Sequence, residues 1–163
     1  MKTLHLMTTS ICDRDCPNCC NKQMNLNRVK YASRDDFMKC DVVCITGGEP
    51  ILYSNVNEIA KKIKTNYPHI NRVYVYANAF ELLRGLDKTD SIDGFSVSIK
   101  CLPDVAAFRA LENDPRISAL NSNKLYVFDR LIKEDEAPRG WEYVEREWQE
   151  KFKPAKNCIF RKI

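Results

Sequence analysis

The chain has 163 residues and a mass of 18.9 kDa, a length that predicts one domain with a buried core. Charged residues make up 29% and the formal net charge is +4, so neither a disordered chain nor a nucleic-acid-binding protein is indicated. No apolar run approaches the roughly 18 residues that span a bilayer, and polar residues interrupt the N-terminal segment, so we expect a cytoplasmic protein with no membrane partner.

Apolar periodicity predicts strands that alternate with helices. Strands are expected at residues 2–9, 41–46, 72–77, 94–100, 124–128 and 157–160. Helices are expected to begin at Ser33 and at Ser54 or Asn55, and to span 80–86, 104–111 and 141–152. This alternation favours an α/β fold, a partial (β/α) barrel of about five or six parallel strands within one domain, 1–163. The segment 129–163 has no assigned role.

A cysteine loop, residues 12–19, follows the first predicted strand. Cys12, Cys16 and Cys19 have the spacing Cys-x3-Cys-x2-Cys. Pro17 lacks an N–H and would clash with the carbonyl of Asp13 in a helix, so we predict a loop that turns three thiols inward. Thiolates suit zinc or iron–sulfur clusters, and three of them leave one iron of a 4Fe–4S cluster open. Eight cysteines in a reducing compartment also favour metal ligands or buried thiols over disulfides.

A second motif, Gly47-Gly48-Glu49-Pro50, ends the second predicted strand. Two glycines allow the backbone to approach a ligand closely, and Pro50 favours an extended Glu49. A strand-to-loop turn also tolerates two glycines. We favour the functional interpretation because the cysteine loop precedes the motif.

Polar residues also mark the third and fourth predicted strands. Asn78 follows the third, and Ser96, Ser98 and Lys100 form one face of the fourth. In a barrel that face would border a binding cavity, whereas in an open sheet it would be a wet face. The pattern leaves both possibilities open.

Cys-x3-Cys-x2-Cys after an N-terminal strand, with Gly-Gly-Glu-Pro after the second, resembles the radical S-adenosylmethionine (SAM) superfamily. The resemblance covers roughly residues 3–128 and implies a radical SAM core-like fold. It implies that a 4Fe–4S cluster is held by Cys12, Cys16 and Cys19. It implies that SAM is bound by Asn18, Gly47, Gly48, Glu49, Pro50, Asn78, Ser98 and Lys100. In the family the Gly-Gly-Glu-Pro segment meets the methionyl amino group of SAM, and polar residues of the fourth strand reach its carboxylate or ribose.

The resemblance also implies an enzyme. Members cleave SAM reductively with one electron from a donor such as flavodoxin or ferredoxin, and a 5′-deoxyadenosyl radical then removes a hydrogen from the substrate. The segment Cys16-Pro17-Asn18-Cys19-Cys20-Asn21-Lys22 is similar to one in small glycyl-radical activating enzymes. A chain this short closes little of a barrel, which suits a protein or peptide substrate. A small molecule capped by the predicted helix at 141–152 is the alternative.

Two non-enzymatic functions are further alternatives. A structural zinc module would use Cys16, Cys19, Cys40 and Cys44, whose spacing approaches that of a zinc ribbon. It would leave the first cysteine of the loop without a role. An iron–sulfur electron carrier would need a fourth cysteine near the loop, where Cys20 is the nearest.

Overall fold

The structure is a computed structural model that describes residues 2–12, 14, 16, 25–148 and 156–163. In this part of the chain, seven parallel strands form one sheet with the order β6-β5-β4-β3-β2-β1-β7. The strands are β1 (Thr3–Met7), β2 (Val42–Thr46), β3 (Arg72–Asn78), β4 (Gly94–Ile99), β5 (Asn123–Phe128), β6 (Trp141–Arg146) and β7 (Cys158–Lys162). The helices are α1 (Arg34–Met38), α2 (Pro50–Tyr53), α3 (Val56–Asn66), α4 (Ala79–Gly85), α5 (Leu102–Leu111) and α6 (Pro115–Ser118), with 3₁₀ turns at Leu26–Arg28 and Glu134–Glu136.

The hydrophobic core lies between one face of the sheet and the helices. Because β1 to β6 are adjacent in chain order and parallel crossovers are right-handed, the connecting helices cover the same face. Alternate strand residues point into that layer, among them Leu4, Ile45, Val75, Phe95 and Leu125, all almost fully buried. The other residues of each strand line the opposite side, which we call the open face. His5, Tyr76 and Tyr126 belong to it.

The expected α/β class with a parallel sheet is confirmed in the described part of the chain. Two helices, α1 and α3, begin directly after N-cap residues that the sequence predicts. Ser33 Oγ accepts from the Asp36 N–H, and Asp36 Oδ2 accepts from the Ser33 N–H, before α1. Of the two candidates for the cap of α3, Asn55 is the one used, since its side chain accepts from the Glu58 N–H.

The prediction of a helix over 141–152 is wrong for its described part, 141–148, and residues 149–152 lie outside the described residues. Residues Trp141–Arg146 form β6, which pairs in parallel with β5, so the described residues contain seven strands where five or six were predicted. The segment Trp-Glu-Tyr-Val-Glu-Arg also alternates, and aromatic and β-branched residues suit a strand. Its charged residues are tolerated because β6 is an edge strand. Trp141 still packs inward, edge-on to Phe108 with ring centroids 5.0 Å apart.

The last described strand, β7, lies beside the first strand, β1. β7, predicted at 157–160, is confirmed at Cys158–Lys162 and pairs with β1. The guanidinium of Arg161 donates to Asp36 Oδ2 over 3.0 Å, which ties β7 to α1. None of the helices described here is long and apolar enough to cross a membrane.

Candidate cofactor site at the carboxyl edge of the sheet

The cysteine loop begins at the carboxyl edge of the sheet, just beyond β1. Cys12 and Cys16 are both half-buried there, and the Arg14 N–H donates to Cys12 Sγ over 3.4 Å. The other two predicted loop residues, Asn18 and Cys19, lie outside the described residues. Among the described residues, which do not include Cys19, no three or more His, Cys, Asp or Glu side chains form a group that could hold a metal ion.

The Gly-Gly-Glu-Pro segment lies against the chain that leads into the cysteine loop. The Gly48 N–H donates to Thr9 O and the Glu49 N–H donates to Ile11 O, each over 2.8 Å. A Cβ on Gly48 would stand 2.2 Å from Ile11 O, far inside van der Waals contact. Only glycine allows this approach, so the two motifs lie side by side because of the residue types at their contact.

Pro50 is the first residue of α2 and Glu49 its N-cap. Proline suits the first helical position because its missing N–H has no intrahelical acceptor there. Glu49 is 1% exposed, and its Oε2 accepts a hydrogen bond from Asn78 Nδ2 over 3.0 Å. Its Oε1 has no hydrogen-bond partner among the described residues.

Burial and the nearby Glu81 carboxylate raise the pKa of Glu49 to about 8, against the opposing hydrogen bond from Asn78. Near neutral pH the carboxyl group of Glu49 is therefore largely protonated. A cation or a protonated amine beside Oε1 would supply the missing partner and favour the carboxylate.

A buried ion cluster fixes the cysteine loop to two helices. Arg14 Nε donates to Glu81 Oε1 over 2.7 Å, and the two Nη atoms of Arg14 donate to the two carboxylate oxygens of Asp104. Asp104 is fully buried and also accepts from the N–H groups of Phe80 and Lys100. Burial alone would raise the pKa of Asp104, but these hydrogen bonds outweigh it and hold the pKa below its usual value.

Sequence reasoning missed all three members of this cluster. Arg14 stands between two cysteines, which is the one signal that pointed to the site. Glu81 and Asp104 resemble ordinary first-turn acidic residues of α4 and α5. Only the packing of those helices against the cysteine loop gives them their role.

The predicted strand-end residues do reach the same edge. Asn78 and Ser98 are direct partners in the β3–β4 pairing, and Asn78 contacts Glu49. Lys100 follows β4, and its ammonium lies 5.6 Å and 5.9 Å from the ring centroids of Phe128 and Trp148. The structure thus brings Asn78 to the Gly-Gly-Glu-Pro segment and directs the Lys100 side chain toward a neighbouring aromatic pair.

A groove of about 600 Å³ opens beside these residues. Arg14, Cys16, Glu81, Lys100 and Trp148 are among its lining. Its volume is in the range of small-molecule sites. The carboxyl edge of a parallel sheet is also where ligands of α/β proteins generally bind.

Three thiols of the alternative zinc module, Cys16, Cys40 and Cys44, are among the described residues, and they lie at different levels of the sheet. Cys40 precedes β2 at the amino edge, Cys44 lies within β2, and Cys16 lies beyond the carboxyl edge of β1. A five-residue strand separates the two edges by about 16 Å. Burial, followed by the neighbouring Cys158, raises the pKa of Cys44 to about 12, which disfavours the thiolate that zinc needs. The geometry therefore disfavours the zinc ribbon.

The described residues fit the groups that the resemblance implies. Two half-buried thiols, a glycine contact that excludes any Cβ, and a buried carboxylate oxygen without a partner lie at one edge of the sheet. Thiols are ligands for iron, and a carboxyl oxygen without a partner suits the amino group of an amino acid. In comparisons with known proteins, the chain matches no family model and is not similar in sequence to any curated protein.

Proposed function

We propose that the protein is a radical SAM enzyme. The observation that carries this proposal is the backbone contact between the Gly-Gly-Glu-Pro segment and the residues that lead into the cysteine loop. The two motifs are separated by about 30 residues of chain, and each by itself has a simpler explanation as a turn. Their hydrogen-bonded contact at the carboxyl edge supports a shared site.

Cys12, Cys16 and Cys19 would hold a 4Fe–4S cluster, and Gly47, Gly48, Glu49 and Pro50 would hold the methionyl end of SAM. When bound, these groups supply reductive cleavage of SAM to methionine and a 5′-deoxyadenosyl radical that abstracts hydrogen, with the electron coming from a donor such as flavodoxin or ferredoxin. Asn78, Ser98 and Lys100, and the backbone of Asn18, complete the proposed SAM site.

The side chains of this chain would orient the ligand and exclude water. Glu49 would accept from the ligand's amino group through Oε1, while Asn78 holds the other carboxylate oxygen in place. Arg14, held by Glu81 and Asp104, would fix the loop between the first two thiols. The residues around Glu49 are buried, so hydrogen bonds to its carboxylate gain strength from the low local dielectric constant.

The strand order and the placement of the helices also support the proposal. Seven parallel strands in near-sequential order, with helices on one face, are compatible with a partial (β/α) barrel of the radical SAM core type. Oxygen-sensitive clusters and their cysteine ligands are stable in a reducing compartment, and a cytoplasmic location is therefore part of the proposal.

Two substrate classes follow from the sequence, a protein or peptide and a small molecule. The sequence predicts that a helix at 141–152 caps a small-molecule substrate, whereas Trp141–Arg146 forms the strand β6 and cannot act as that helical cap. Instead, β6 contributes Arg146 to the lining of a cavity on the open face. That cavity favours the small molecule, and the protein or peptide substrate stays a prediction.

The decisive experiment measures 5′-deoxyadenosine. The full chain is reconstituted anaerobically with iron and sulfide, given SAM and dithionite, and its products are separated by chromatography. Product from the native chain and none from Cys16→Ala is expected. Cys40→Ala is the matched control, because it removes a thiol at the opposite edge of the sheet and should leave product formation intact. A native chain that binds iron but yields no product with SAM and dithionite would overturn the proposal.

A further inference from the structure

A second cavity lies on the open face, nearer the amino ends of the strands. It has a volume of about 510 Å³ and extends from Arg72 and Lys124, at or near the strand starts, to Tyr76 in mid-strand. We call it the inner chamber. Its size matches that of a small-molecule site, and of the residues proposed to hold SAM, none that the structure describes lines it.

Aromatic rings form one wall of the inner chamber. Tyr76 and Tyr126 lie on neighbouring positions of the open face with ring centroids 6.2 Å apart and planes inclined by 25°. The guanidinium of Arg146 lies over the Tyr126 ring at 4.7 Å. Burial, and then the nearby Cys44 and Tyr126, raise the pKa of Tyr76, so its phenol stays neutral at physiological pH. A planar group could stack here.

Positive charge dominates the lining of the inner chamber. Among the described residues that line it, three are basic, Arg72, Lys124 and Arg146, and one is acidic, Glu142. Glu142 lies 3.6 Å from Lys124 and its side chain is 60% exposed, so it offsets little of the charge at the chamber. Burial lowers the pKa of His5, which adds no charge at neutral pH.

The inner chamber lies directly below the proposed SAM site. Tyr76 and Asn78 belong to the same strand and the same face, as do Ser96 and Ser98. Residues two positions apart along a strand are separated by about 7 Å. A ligand in the chamber would therefore extend toward the Asn78–Glu49 pair.

We propose that the inner chamber binds a small anion that carries a planar ring. The ring packs against the wall formed by Tyr76 and Tyr126. The anionic group pairs with Lys124, which shares β5 and the open face with Tyr126, and with Arg146, whose guanidinium lies beside the Tyr126 ring. The identification of this ligand as the substrate rests on the proposed function. The binding itself does not, because none of the loop residues that the structure describes, Cys12, Arg14 and Cys16, lines the chamber.

Phenyl phosphate is a suitable probe, since it combines a ring with a phosphate and contains no adenine. Its binding to the full chain is measured by calorimetry and ligand-observed NMR without SAM or reductant, beside phenol and inorganic phosphate. We expect saturable binding that is tighter than that of either fragment. Arg146→Gln and Lys124→Gln should each raise Kd about fivefold or more, because each removes a charged partner of the phosphate.

Lys61→Gln is the matched control, since it removes one exposed positive charge from α3 and should leave Kd unchanged. Both chamber substitutions are on partly or fully exposed side chains, so the fold is retained, which circular dichroism checks. No saturable binding, equal Kd in all four proteins, phosphate binding as tight as phenyl phosphate, or displacement of the probe by SAM would each overturn the proposal. Because neither SAM cleavage nor iron is needed for the signal, this result and the 5′-deoxyadenosine assay can fail independently.

Discussion

Arg14 and Asp104 are separated by 90 residues in the chain and form a two-bond ion pair in which the carboxylate is fully buried. The same guanidinium reaches Glu81 on α4. The cysteine loop is thus attached to the start of two helices rather than only to the strand that precedes it. Every thiol of the loop is within a few residues of this attachment, so its loss should affect both stability and metal binding.

Replacement of Arg14 by Met should lower the free energy of unfolding by about 3 kcal/mol, because it leaves Asp104 buried without its cationic partner. Denaturant unfolding measures this. Arg116→Met is a matched control, since Arg116 also pairs with an aspartate but has a side chain that is half exposed. It should lose less than about 1 kcal/mol. Equal losses in the two variants would show that the Arg14 pair has no special role.

Gly48→Ala should displace the chain that leads into the cysteine loop, because the new Cβ would stand 2.2 Å from Ile11 O. We expect a loss of about 2 kcal/mol in stability and a large loss of iron after anaerobic reconstitution. Gly140→Ala is the comparison. Its φ of +90° also disfavours alanine, but no heavy atom lies within 4 Å of the new Cβ. Iron per chain should stay at the native level there, and native iron content in Gly48→Ala would contradict the prediction.

The folded protein should lose stability as pH rises through the titration of Glu49. Its folded-state pKa of about 8 exceeds the value of 4.5 for a free glutamate, so the folded state retains the proton longer. This contribution is fully present below pH 4.5 and is lost as pH rises through 8. The slope can reach about 1.4 kcal/mol per pH unit between those values.

Glu49→Gln removes that titration, so its stability relative to the native chain should increase from pH 5 to pH 8. Urea unfolding at several pH values measures the difference, which also cancels groups such as His5 that titrate in both proteins. Glu58→Gln, an exposed substitution on α3, is the control, and its free energy of unfolding should stay at a constant difference from that of the native chain over this pH range. A parallel profile for Glu49→Gln as well would place the Glu49 pKa near its ordinary value.

Glu49→Gln should also weaken SAM binding to the reconstituted protein by about tenfold or more, because a buried charge-assisted hydrogen bond to the amino group is replaced by a neutral one. Calorimetric titration under anaerobic conditions gives the affinity. Glu58→Gln serves again as the control with unchanged affinity. If Glu49→Gln binds SAM as the native chain does, the amino group of SAM does not contact this carboxyl group.

Local sequence patterns predicted most of the elements for identifiable reasons. Val-rich and Tyr-rich runs such as Arg72–Asn78 have few alternatives to a strand, and Asn55 has the side chain that an N-cap requires. The failure at Trp141–Arg146 has an equally clear origin. Its apolar residues satisfy helical spacing and strand alternation at once, and the free edge of β5 decided between them.

The sequence by itself determined the alternation of strands and helices, the two motifs and the residue types at their contact, because these depend on local backbone preference and on spacing along the chain. Only the tertiary structure decided which polar groups meet. The Arg14 cluster, the buried Glu49–Asn78 pair and the three basic residues of the inner chamber each join segments distant in sequence. Their burial and shifted pKa values arise from packing between elements, which no local pattern encodes.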